Sequence, residues 1–600
     1  MDDQNKNLLI ASGLSFLVIL VWFILFPPAP PPEQTAEPSA VVEQGDTVTP
    51  PAATTAPLTF ETTEESRDEV LSETSRIDID TDRLSGSISL TGGRIDDLSL
   101  LDYNVELNDP SEKLRLLSPA GGPAAYYALH GWIPSGSLTY EDVPTALTEW
   151  TQISVGALSP TNAVEMEWVN PSGVKFTKTI SVDEDFLFTI EQRVENTTSE
   201  PLRLAPYGIV AQQGEPETIG MWLLHEGVVR ASDGTIQEID YDDLPDQAFV
   251  QAEAGNVESI DVVENGWIGF TSKYWMTALL PTPGQSFTSV SKYVPSNDTY
   301  QVEMRMPLIE IAPGAEQSIS TNLFAGAKEY EAIRAYERVG FQQFIDSIDW
   351  GWLFFLTKPI FWVLHELNIL IGNMGWAIIG LTLVIKALLF PLAYKSYVSM
   401  ARMKELQPEM EKLKEKHGED RQAMQMDMMQ LYKDKKVNPA AGCLPILLQI
   451  PIFFSLYKVI FVTLELRHAP FIGWLQDLSA PDPTSWINLF GLLPYATPGP
   501  ESLFYIFSIG VWPIAFGVSM WLQQKLNPAP PDPTQQMIFA WMPWVFMFML
   551  GSFASGLIVY WVANNVITFI QQYTIMRSQG VKPDILGNIR ASFDKKKEES

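Results

Sequence analysis

Cysteine and histidine are scarce in this 600-residue chain, which contains a single Cys, Cys443, and five His. One thiol cannot form an intrachain disulfide, a Cys-based zinc site or a Cys-rich iron–sulfur centre. The sequence also lacks a Walker loop, a dinucleotide-binding fingerprint, a His-Glu-x-x-His motif and a nucleophile elbow. We therefore expect no cofactor, no metal site and no enzymatic activity.

Positive charge is also scarce, because 39 Lys and Arg stand against 72 Asp and Glu, for a net charge of -33. Nucleic-acid binding needs a basic surface that displaces counterions from phosphate, so no direct DNA binding is expected. Residues 27–340 contain 17 Lys and Arg against 50 Asp and Glu, which accounts for the whole excess. The rest of the chain is balanced in charge and strongly apolar, which predicts that the two regions face different solvents.

Long uncharged stretches predict six membrane spans. Residues 8–26 form an uncharged run of 19 residues, long enough to cross about 30 Å of hydrocarbon. A cleaved signal peptide is the alternative, although its apolar region typically has only about 7–15 residues. Four further apolar blocks cover residues 374–392, 440–464, 502–524 and 537–573, and the last is long enough for two crossings with a turn near Gly551.

Two other regions have different patterns. Residues 60–319 consist of short alternating runs separated by turn residues, such as residues 87–95 around Gly92-Gly93, and they predict a large β-sandwich-like domain. Residues 345–371 are rich in aromatic side chains but are interrupted by charged residues and by Pro359. This pattern favours an amphipathic helix on the membrane surface, with a true span as the alternative.

Basic residues predict the orientation. The connection at residues 393–437 contains ten Lys and Arg and the tail at 574–600 contains six, whereas residues 465–501 contain only Arg467. Basic connections remain in the cytoplasm, so both termini are expected there and the acidic β domain is expected to be exported.

These assignments divide the chain into thirteen segments. They are a transmembrane anchor (1–26), a disordered linker rich in Pro, Ala and Thr (27–59), a periplasmic β domain with a C-terminal helix (60–340), an interfacial helix (341–372), a second span (373–392), a cytoplasmic helical hairpin (393–437), a third span (438–464), a periplasmic loop (465–501), a fourth span (502–525), a cytoplasmic loop (526–536), a fifth span (537–552), a sixth span (553–573) and a basic cytoplasmic tail (574–600).

Lys386 is the most informative single residue. It follows an uninterrupted apolar run, and an ammonium inside hydrocarbon costs from a few to more than ~10 kcal/mol. Snorkelling to the cytoplasmic surface is the alternative, but helical side chains tilt toward the helix N-terminus and this helix runs inward. None of the six predicted spans contains Asp or Glu. We therefore predict that Lys386 faces a hydrated cavity without a permanent carboxylate partner.

Other polar residues have the spacing needed to share that cavity. Thr382 lies four residues before Lys386 on the same helix face, and Gln449 lies in the third span. Tyr560, Asn564, Thr568 and Gln571 form one stripe along the last span. Ordinary interhelical hydrogen bonding is an equally good interpretation of this polarity. For Lys458, near the outer end of the third span, snorkelling is the better interpretation.

The basic connection at residues 393–437 has the pattern of a helical hairpin with a turn at 417–420. It contains seven Met, and flexible thioethers suit surfaces that accept varied apolar partners. Packing of one arm against the other is the better interpretation for most of them. The candidate contacts for an apolar substrate are Met403, Met410, Met424 and Met428.

Several short motifs resemble those of the YidC membrane protein insertases, a family that includes the mitochondrial Oxa and chloroplast Albino proteins. The motifs are Gly372-Asn373-Met374-Gly375-Trp376, Leu406-Gln407-Pro408, Val437-Asn438-Pro439 through Gly442-Cys443, Gln449-Ile450-Pro451-Ile452-Phe453, Glu465-Leu466-Arg467, and Ser555-Gly556-Leu557 to Tyr560. The resemblance covers nearly the full length and is loosest in the β domain.

The resemblance implies a polytopic α-helical membrane protein with six spans, of which five form the insertase core, and an exported all-β supersandwich domain. It implies a hydrophilic groove open to the cytoplasm and to lipid, and cooperation with the Sec translocon. Lys386 falls where the family usually has arginine, and Thr382, Gln449 and Trp561 match other groove positions. Residues 489–499 look like an insertion relative to familiar members.

The resulting hypothesis is a non-enzymatic insertase and chaperone for nascent inner-membrane proteins, working in the bilayer alone or with the Sec translocon. A ribosome contact of the basic tail and simple fixing of topology are equally good interpretations of that tail. A secondary transporter of an anionic solute bound at Lys386 is the alternative, although repeated halves and intramembrane carboxylates are lacking. A sugar-binding role for the β domain is a third hypothesis, which rests on fold alone.

Overall fold

The computed structural model describes residues 66–107, 112–220, 224–417, 420–435, 437, 444–499, 502–527 and 533–580. The predicted anchor at 1–26, the linker at 27–59, Cys443 and residues 581–600 of the tail lie outside the described residues.

Two antiparallel sheets form the N-terminal domain. Their strands are β1 Arg76–Asp80, β2 Leu84–Ser89, β3 Arg94–Asn104, β4 Lys113–Leu117, β5 Tyr126–Ser135, β6 Thr151–Gln152, β7 Val164–Val169, β8 Lys175–Val182, β9 Leu187–Glu195, β10 Leu202–Gln213, β11 Gly227–Ser232, β12 Thr235–Asp240, β13 Phe249–Val250, β14 Gly255–Val262, β15 Gly266–Thr271, β16 Trp275–Pro281, β17 Phe287–Val294, β18 Thr299–Arg305, β19 Ile309–Ile311 and β20 Glu316–Ala327. One sheet has the order β1-β2-β3-β5-β10-β18-β17-β14-β13, with β4 on β3 and β19 on β10, and the other has the order β12-β11-β15-β16-β20-β9-β8-β7-β6.

The alternation of the sequence explains how the sheets pack. In β9, Phe188, Ile190 and Val194 are buried while the intervening side chains are more exposed, as expected for a strand with one face on a core. β8 pairs with β9 in antiparallel register, with Ile180 opposite Ile190. The predicted hairpin at Gly92-Gly93 is confirmed, since both glycines have positive φ (75° and 62°) between paired β2 and β3. The predicted β-sandwich class is therefore confirmed.

Most of the helices follow the sheets. They are α1 Arg67–Glu73, α2 Tyr330–Arg338, α3 Phe354–Ile371, α4 Met374–Leu388, α5 Phe390–Glu405, α6 Gln407–His417, α7 Arg421–Asp434, α8 Leu444–Val462, α9 Val511–Gln524, α10 Pro533–Met549 and α11 Ser555–Ser578. α11 is central, because it packs against α4, α5, α8 and α9.

A sharp bend separates α4 from α5. The two helices differ in direction by 70° across the break at Leu389, and Pro391 lies in the first turn of α5. Proline has no amide hydrogen to donate to the carbonyl four residues earlier, so an unbroken helix is disfavoured here. The second apolar block, predicted as one stretch to residue 392, is therefore helical only to Leu388 before the chain turns.

Length and composition identify one described helix, α3, that could cross a membrane by itself. The bent pair of α4 and α5 passes the same criterion when taken together, and the apolar part of α8 is Leu447–Val462. α3 also has extensive contacts with the base of the β domain. The Tyr330 ring of α2 lies 4.8 Å from Phe361 and 5.3 Å from His365 (centroid to centroid), and the Lys358 ammonium is 2.5 Å from Asp346.

Candidate functional site

A chain of hydrogen bonds connects three helices at Lys386. The Lys386 ammonium lies 3.5 Å from the Gln449 carbonyl oxygen Oε1 on α8, and Gln449 Nε2 donates to the Tyr560 hydroxyl on α11. Lys386 is in the last turn of α4, twelve residues and thus about 18 Å from Met374. None of the ion pairs formed by the described residues includes Lys386. The structure thus places three of the predicted site residues together around an ammonium without a carboxylate.

The remaining polar candidates are satisfied in different ways. The Thr382 hydroxyl is buried and donates to the Ile378 carbonyl at 2.8 Å, so its proton is used within α4. On α11, the Thr568 hydroxyl donates to the backbone carbonyl of Asn564 at 2.6 Å. Asn564 Oδ1 and Gln571 Oε1 are buried and have no hydrogen-bond partner within the described part of the chain. These acceptors lie along the stripe that begins at Tyr560.

Trp561 belongs to an aromatic cluster. Its ring stacks on Phe453 of α8 at 5.3 Å and on Phe516 of α9 at 5.2 Å (centroid to centroid). The sequence analysis missed both phenylalanines. Phe453 could have been found, because it lies one helical turn after Gln449 and ends the motif that begins there. The cluster forms an apolar wall next to the Gln449–Tyr560 hydrogen bond.

The segment at residues 467–485 covers the N-terminal ends of α4, α9 and α11. Asn373 caps α4 through its side-chain oxygen and donates from Nδ2 to the Phe471 carbonyl at 3.1 Å. The amides of Ser555 and Gly556, at the start of α11, donate to the carbonyls of residues 480 and 478 at 2.7 and 2.9 Å. The Asp482 carboxylate accepts from the Trp512 amide of α9 at 2.9 Å. Because these bonds connect α4, α9 and α11, the bundle is tied together at this end.

The snorkelling interpretation of Lys458 is wrong. Its side chain is 7% exposed, and its ammonium is 2.5 Å from the carboxylate of Asp349, which is itself nearly buried. Asp349 also accepts from the backbone amide of His225 at 2.9 Å. The partner lies outside the predicted spans, in the segment that leads from the β domain to α3, so a search for carboxylates within the spans could not find it. The pair connects α8 to the β domain.

The predicted hairpin consists of α6 and α7, which pack against each other. Met410 lies between the arms and is 3.6 Å from the Tyr432 hydroxyl (Sδ to Oη), and Met403, Met424 and Met428 are half-buried. The exposed methionines are instead Met426 and Met429, at 66% and 59%, which the sequence analysis did not select. Hydrogen bonds from His417 and Lys416 lower the pKa of Asp427 and fix the end of α6 to α7.

Comparison with known proteins gives matches over nearly the whole chain. Residues 366–582 match the family model described as 60Kd inner membrane protein, and residues 76–363 match the YidC periplasmic domain. The chain is 62% identical to Membrane protein insertase YidC of Dinoroseobacter shibae, covering 100% of this chain and 99% of the relative. It is 60% identical to the protein of the same name from Cereibacter sphaeroides, covering 99% and 96%. A crystal structure of an active YidC insertase matches 83% of this chain and 92% of its own at 18% identity, with a TM-score of 0.35.

Proposed function

The chain belongs to the YidC family of membrane protein insertases, and from this premise we propose that Lys386, Gln449 and Tyr560 line the path of a client segment into the bilayer. The protein is a non-enzymatic insertase of the inner membrane with a periplasmic domain, and its substrates are membrane proteins. The observation that carries the proposal is the ammonium of Lys386, which contacts the Gln449 side-chain amide, itself bonded to the Tyr560 hydroxyl, but no carboxylate among the described residues.

Charge and depth support this role. With α4 running inward from Met374, Lys386 lies about 18 Å from the outer end, just past the centre of a hydrocarbon layer of about 30 Å. A cation at that depth is costly unless water or a polar partner surrounds it. The buried acceptors Asn564 Oδ1 and Gln571 Oε1 are further polar groups on α11, the helix that carries Tyr560. A groove lined by these groups solvates the polar flank of a client until the segment reaches lipid.

The hydrogen bonds at the outer end support a groove closed toward the periplasm. The segment at residues 467–485 is bonded to α4, α9 and α11, and its side chains Leu475 and Leu478 are fully buried. The fourteen residues from Gly556 to Phe569 of α11 carry no charge. On α4, α9 and α11, Lys386 is therefore the one formal charge that a client would meet between the outer seal and the hairpin. The apolar face of the client then moves sideways into lipid, where burial of about 25 cal/mol per Å² drives transfer without nucleotide.

The cytoplasmic hairpin is proposed as the first contact of the client. Of the four candidate methionines, Met403, Met424 and Met428 are half-buried and accessible in part, whereas Met410 packs against Tyr432. Met426 and Met429 of α7 offer the largest exposed thioether surface and are added to the proposed contact. Photocrosslinking from position 426 to a stalled nascent chain is expected to exceed crosslinking from position 410.

Substitution of Lys386 tests the proposal. Lys386→Leu removes the charge. A hydrogen bond to a charged group contributes about 1.5–3 kcal/mol, so insertion of clients with acidic translocated segments is expected to slow about tenfold or more. Lys386→Arg keeps the charge and should retain insertion, although its planar guanidinium changes the contact geometry. The measurement is the insertion rate in proteoliposomes. Equal rates for the three proteins would refute the proposed role.

Two macromolecular partners are proposed from family membership. The Sec translocon is expected to bind this protein when a client uses both, and the basic tail at residues 574–600 is proposed to contact the ribosome, with topology fixing as the other role of its charges. Removal of residues 581–600 distinguishes these roles. Loss of ribosome co-sedimentation with unchanged topology supports the contact, and inverted or mixed topology supports the other role.

A further inference from the structure

The loop between α8 and α9 exposes an unusual amount of apolar surface. Eighteen consecutive residues between Asp482 and Glu501 carry no charge. Leu492 is 82% exposed and Phe504 is 68% exposed, and six further large apolar or aromatic side chains of the loop are also exposed: Trp486, Leu489, Phe490, Leu493, Tyr495 and Phe507. A contiguous surface of this kind marks a contact with a partner or with a membrane.

The first part of the loop forms hydrogen bonds within its own backbone. The amides of residues 489–493 all donate to carbonyls of residues 485–489, at distances from 2.7 to 3.3 Å. The Trp486 indole donates to the Phe507 carbonyl at 2.6 Å, and the Tyr495 hydroxyl donates to the Ile487 carbonyl. Unsatisfied amides are costly where water is scarce, so a loop with internal bonds can enter the boundary between headgroups and acyl chains.

The base of the loop is fixed to the outer end of α9. Asp482 accepts from the Trp512 amide, the Thr484 hydroxyl accepts from the Val511 amide at 3.1 Å, and the Trp486 amide donates to the Ile509 carbonyl at 3.0 Å. The fourth span, predicted to begin at residue 502, is an α-helix only from Val511, and these bonds place the apolar loop at that end of α9. Trp and Tyr are the residues that favour this interfacial level.

We propose that residues 486–499, together with Phe504 and Phe507, form a lipid-binding surface that inserts into the outer leaflet of the bilayer. Lipid is the occupant because the surface has no charge with which to select a polar partner, and because it is continuous with α9, which is proposed to span the bilayer. The inference rests on the spanning arrangement proposed for α9 and α11. Residues 489–499, which look like an insertion relative to familiar members of the family, would then act as an anchor. This anchor fixes the depth of the outer ends of α8 and α9 in the bilayer.

Fluorescence quenching in proteoliposomes tests this surface on the full-length protein. In a Cys443→Ser background, Leu492→Cys is labelled with an environment-sensitive fluorophore and exposed to brominated phospholipid or to aqueous iodide. Val263→Cys, which is 74% exposed on the β domain, serves as the water control. Val566→Cys on α11 serves as the lipid control, because it is exposed on the side opposite the Tyr560 stripe.

The expected result is quenching of the Leu492 label by brominated lipid to the extent seen at position 566, with protection from iodide. Quenching by iodide as at position 263, or protection from both quenchers as in a protein–protein contact, would overturn the lipid-binding surface. A Val566 label that brominated lipid fails to quench would overturn the spanning arrangement itself, and the inference with it. The controls thus separate failure of the loop from failure of the proposed topology.

Discussion

Lys386 and Lys458 are both lysines of apolar helices, but their surroundings are opposite. Lys458 has a nearly buried carboxylate partner, Asp349, whereas Lys386 meets only the neutral Gln449 oxygen among the described residues. A charge with a fixed partner holds parts of a protein together, because removing one member leaves the other buried and uncompensated. A charge that has no fixed partner remains available to bind a polar group of a client. The two lysines therefore have different roles, one structural and one toward the client.

The first prediction concerns the pair of Asp349 and Lys458. Asp349→Ala removes the carboxylate that contacts the nearly buried Lys458 ammonium, so the free energy of unfolding should fall by about 3–5 kcal/mol. The measurement is thermal or denaturant unfolding of the purified protein in detergent.

Two variants control this measurement. The combination of Asp349→Leu with Lys458→Met removes both charges and should recover much of the loss. Asp427→Asn weakens the contacts of a largely exposed carboxylate with Lys416 and His417 and should change stability by no more than about 1 kcal/mol. A full loss in the double variant, or no loss in Asp349→Ala, would show that the pair does not hold α8 to the β domain.

At the scale of elements, α4 depends on a close approach at its outer end. A Cβ at Gly375 would lie 2.1 Å from the Phe471 ring, whereas a Cβ at Gly380 would meet its nearest atom, on Leu367, at 3.5 Å. Gly375→Ala should therefore destabilise the protein by about 1–3 kcal/mol through overpacking. Gly380→Ala on the same helix has room and should be neutral or stabilising by up to about 1 kcal/mol.

The two alanine variants are compared by thermal unfolding and by proteolysis of the segment around Phe471. Faster cleavage is expected for Gly375→Ala alone, because the outer seal must shift to admit the methyl group. Equal behaviour of the two variants would contradict the close packing of α4 against this segment.

Local sequence patterns predicted those elements well whose structure depends only on residues that are close together in the chain. The Gly92-Gly93 hairpin and the alternation in β9 were predictable because strand period and turn chemistry are local. The 70° break after Leu388 was missed, since an apolar run gives no sign of where a helix bends apart from Pro391. The exposure of Met426 and Met429 was also missed, because it depends on how α7 packs against α6.

Contacts between distant segments were beyond the sequence. Asp349 and Lys458 are 109 residues apart, and no spacing rule connects them. Gln449 and Tyr560 are 111 residues apart, yet both were selected because polar residues in apolar runs stand out individually. The sequence therefore indicated which residues are exceptional, and only the packing of the helices indicated which of them meet.

At the scale of the whole molecule, the β domain contains lysines whose pKa is lowered by burial. Burial lowers the pKa of Lys178 to about 7 and that of Lys328 to about 8. The unfolded chain keeps the ordinary lysine pKa near 10.5, so between pH 8 and 10 it binds more protons than the folded protein. The free energy of unfolding should therefore rise with pH in this window, by up to about 1.4 kcal/mol per pH unit for each lysine.

Denaturant unfolding of the intact protein from pH 8 to 10, followed by near-ultraviolet circular dichroism, measures this slope. Lys178→Met removes one titrating group and should flatten it, while Lys113→Met, at an exposed position, should leave it unchanged. An unaltered slope in Lys178→Met would mean that this lysine remains charged in the fold, held by the carbonyls of Gly92, Gly93 and His130.

The partition of charge along the chain agrees with the division of the molecule into a β domain and a helical part. The acidic residues 27–340 include both sheets of the exported domain, and the balanced remainder includes the helices from α3 onward. In this account the two regions meet where Asp349, the partner of Lys458, accepts from the backbone amide of His225, and the client path begins at the cytoplasmic hairpin and leads to Lys386.

Water access at Lys386 tests the account most directly. Lys386→Cys in a Cys443→Ser background is treated, in inside-out vesicles, with a charged thiol reagent that does not cross membranes. We predict labelling at a rate comparable with that of Met426→Cys on the exposed hairpin, while Val566→Cys on the lipid-facing side of α11 stays unlabelled. Labelling of Lys386→Cys as slow as that of Val566→Cys would contradict a hydrated groove at this depth.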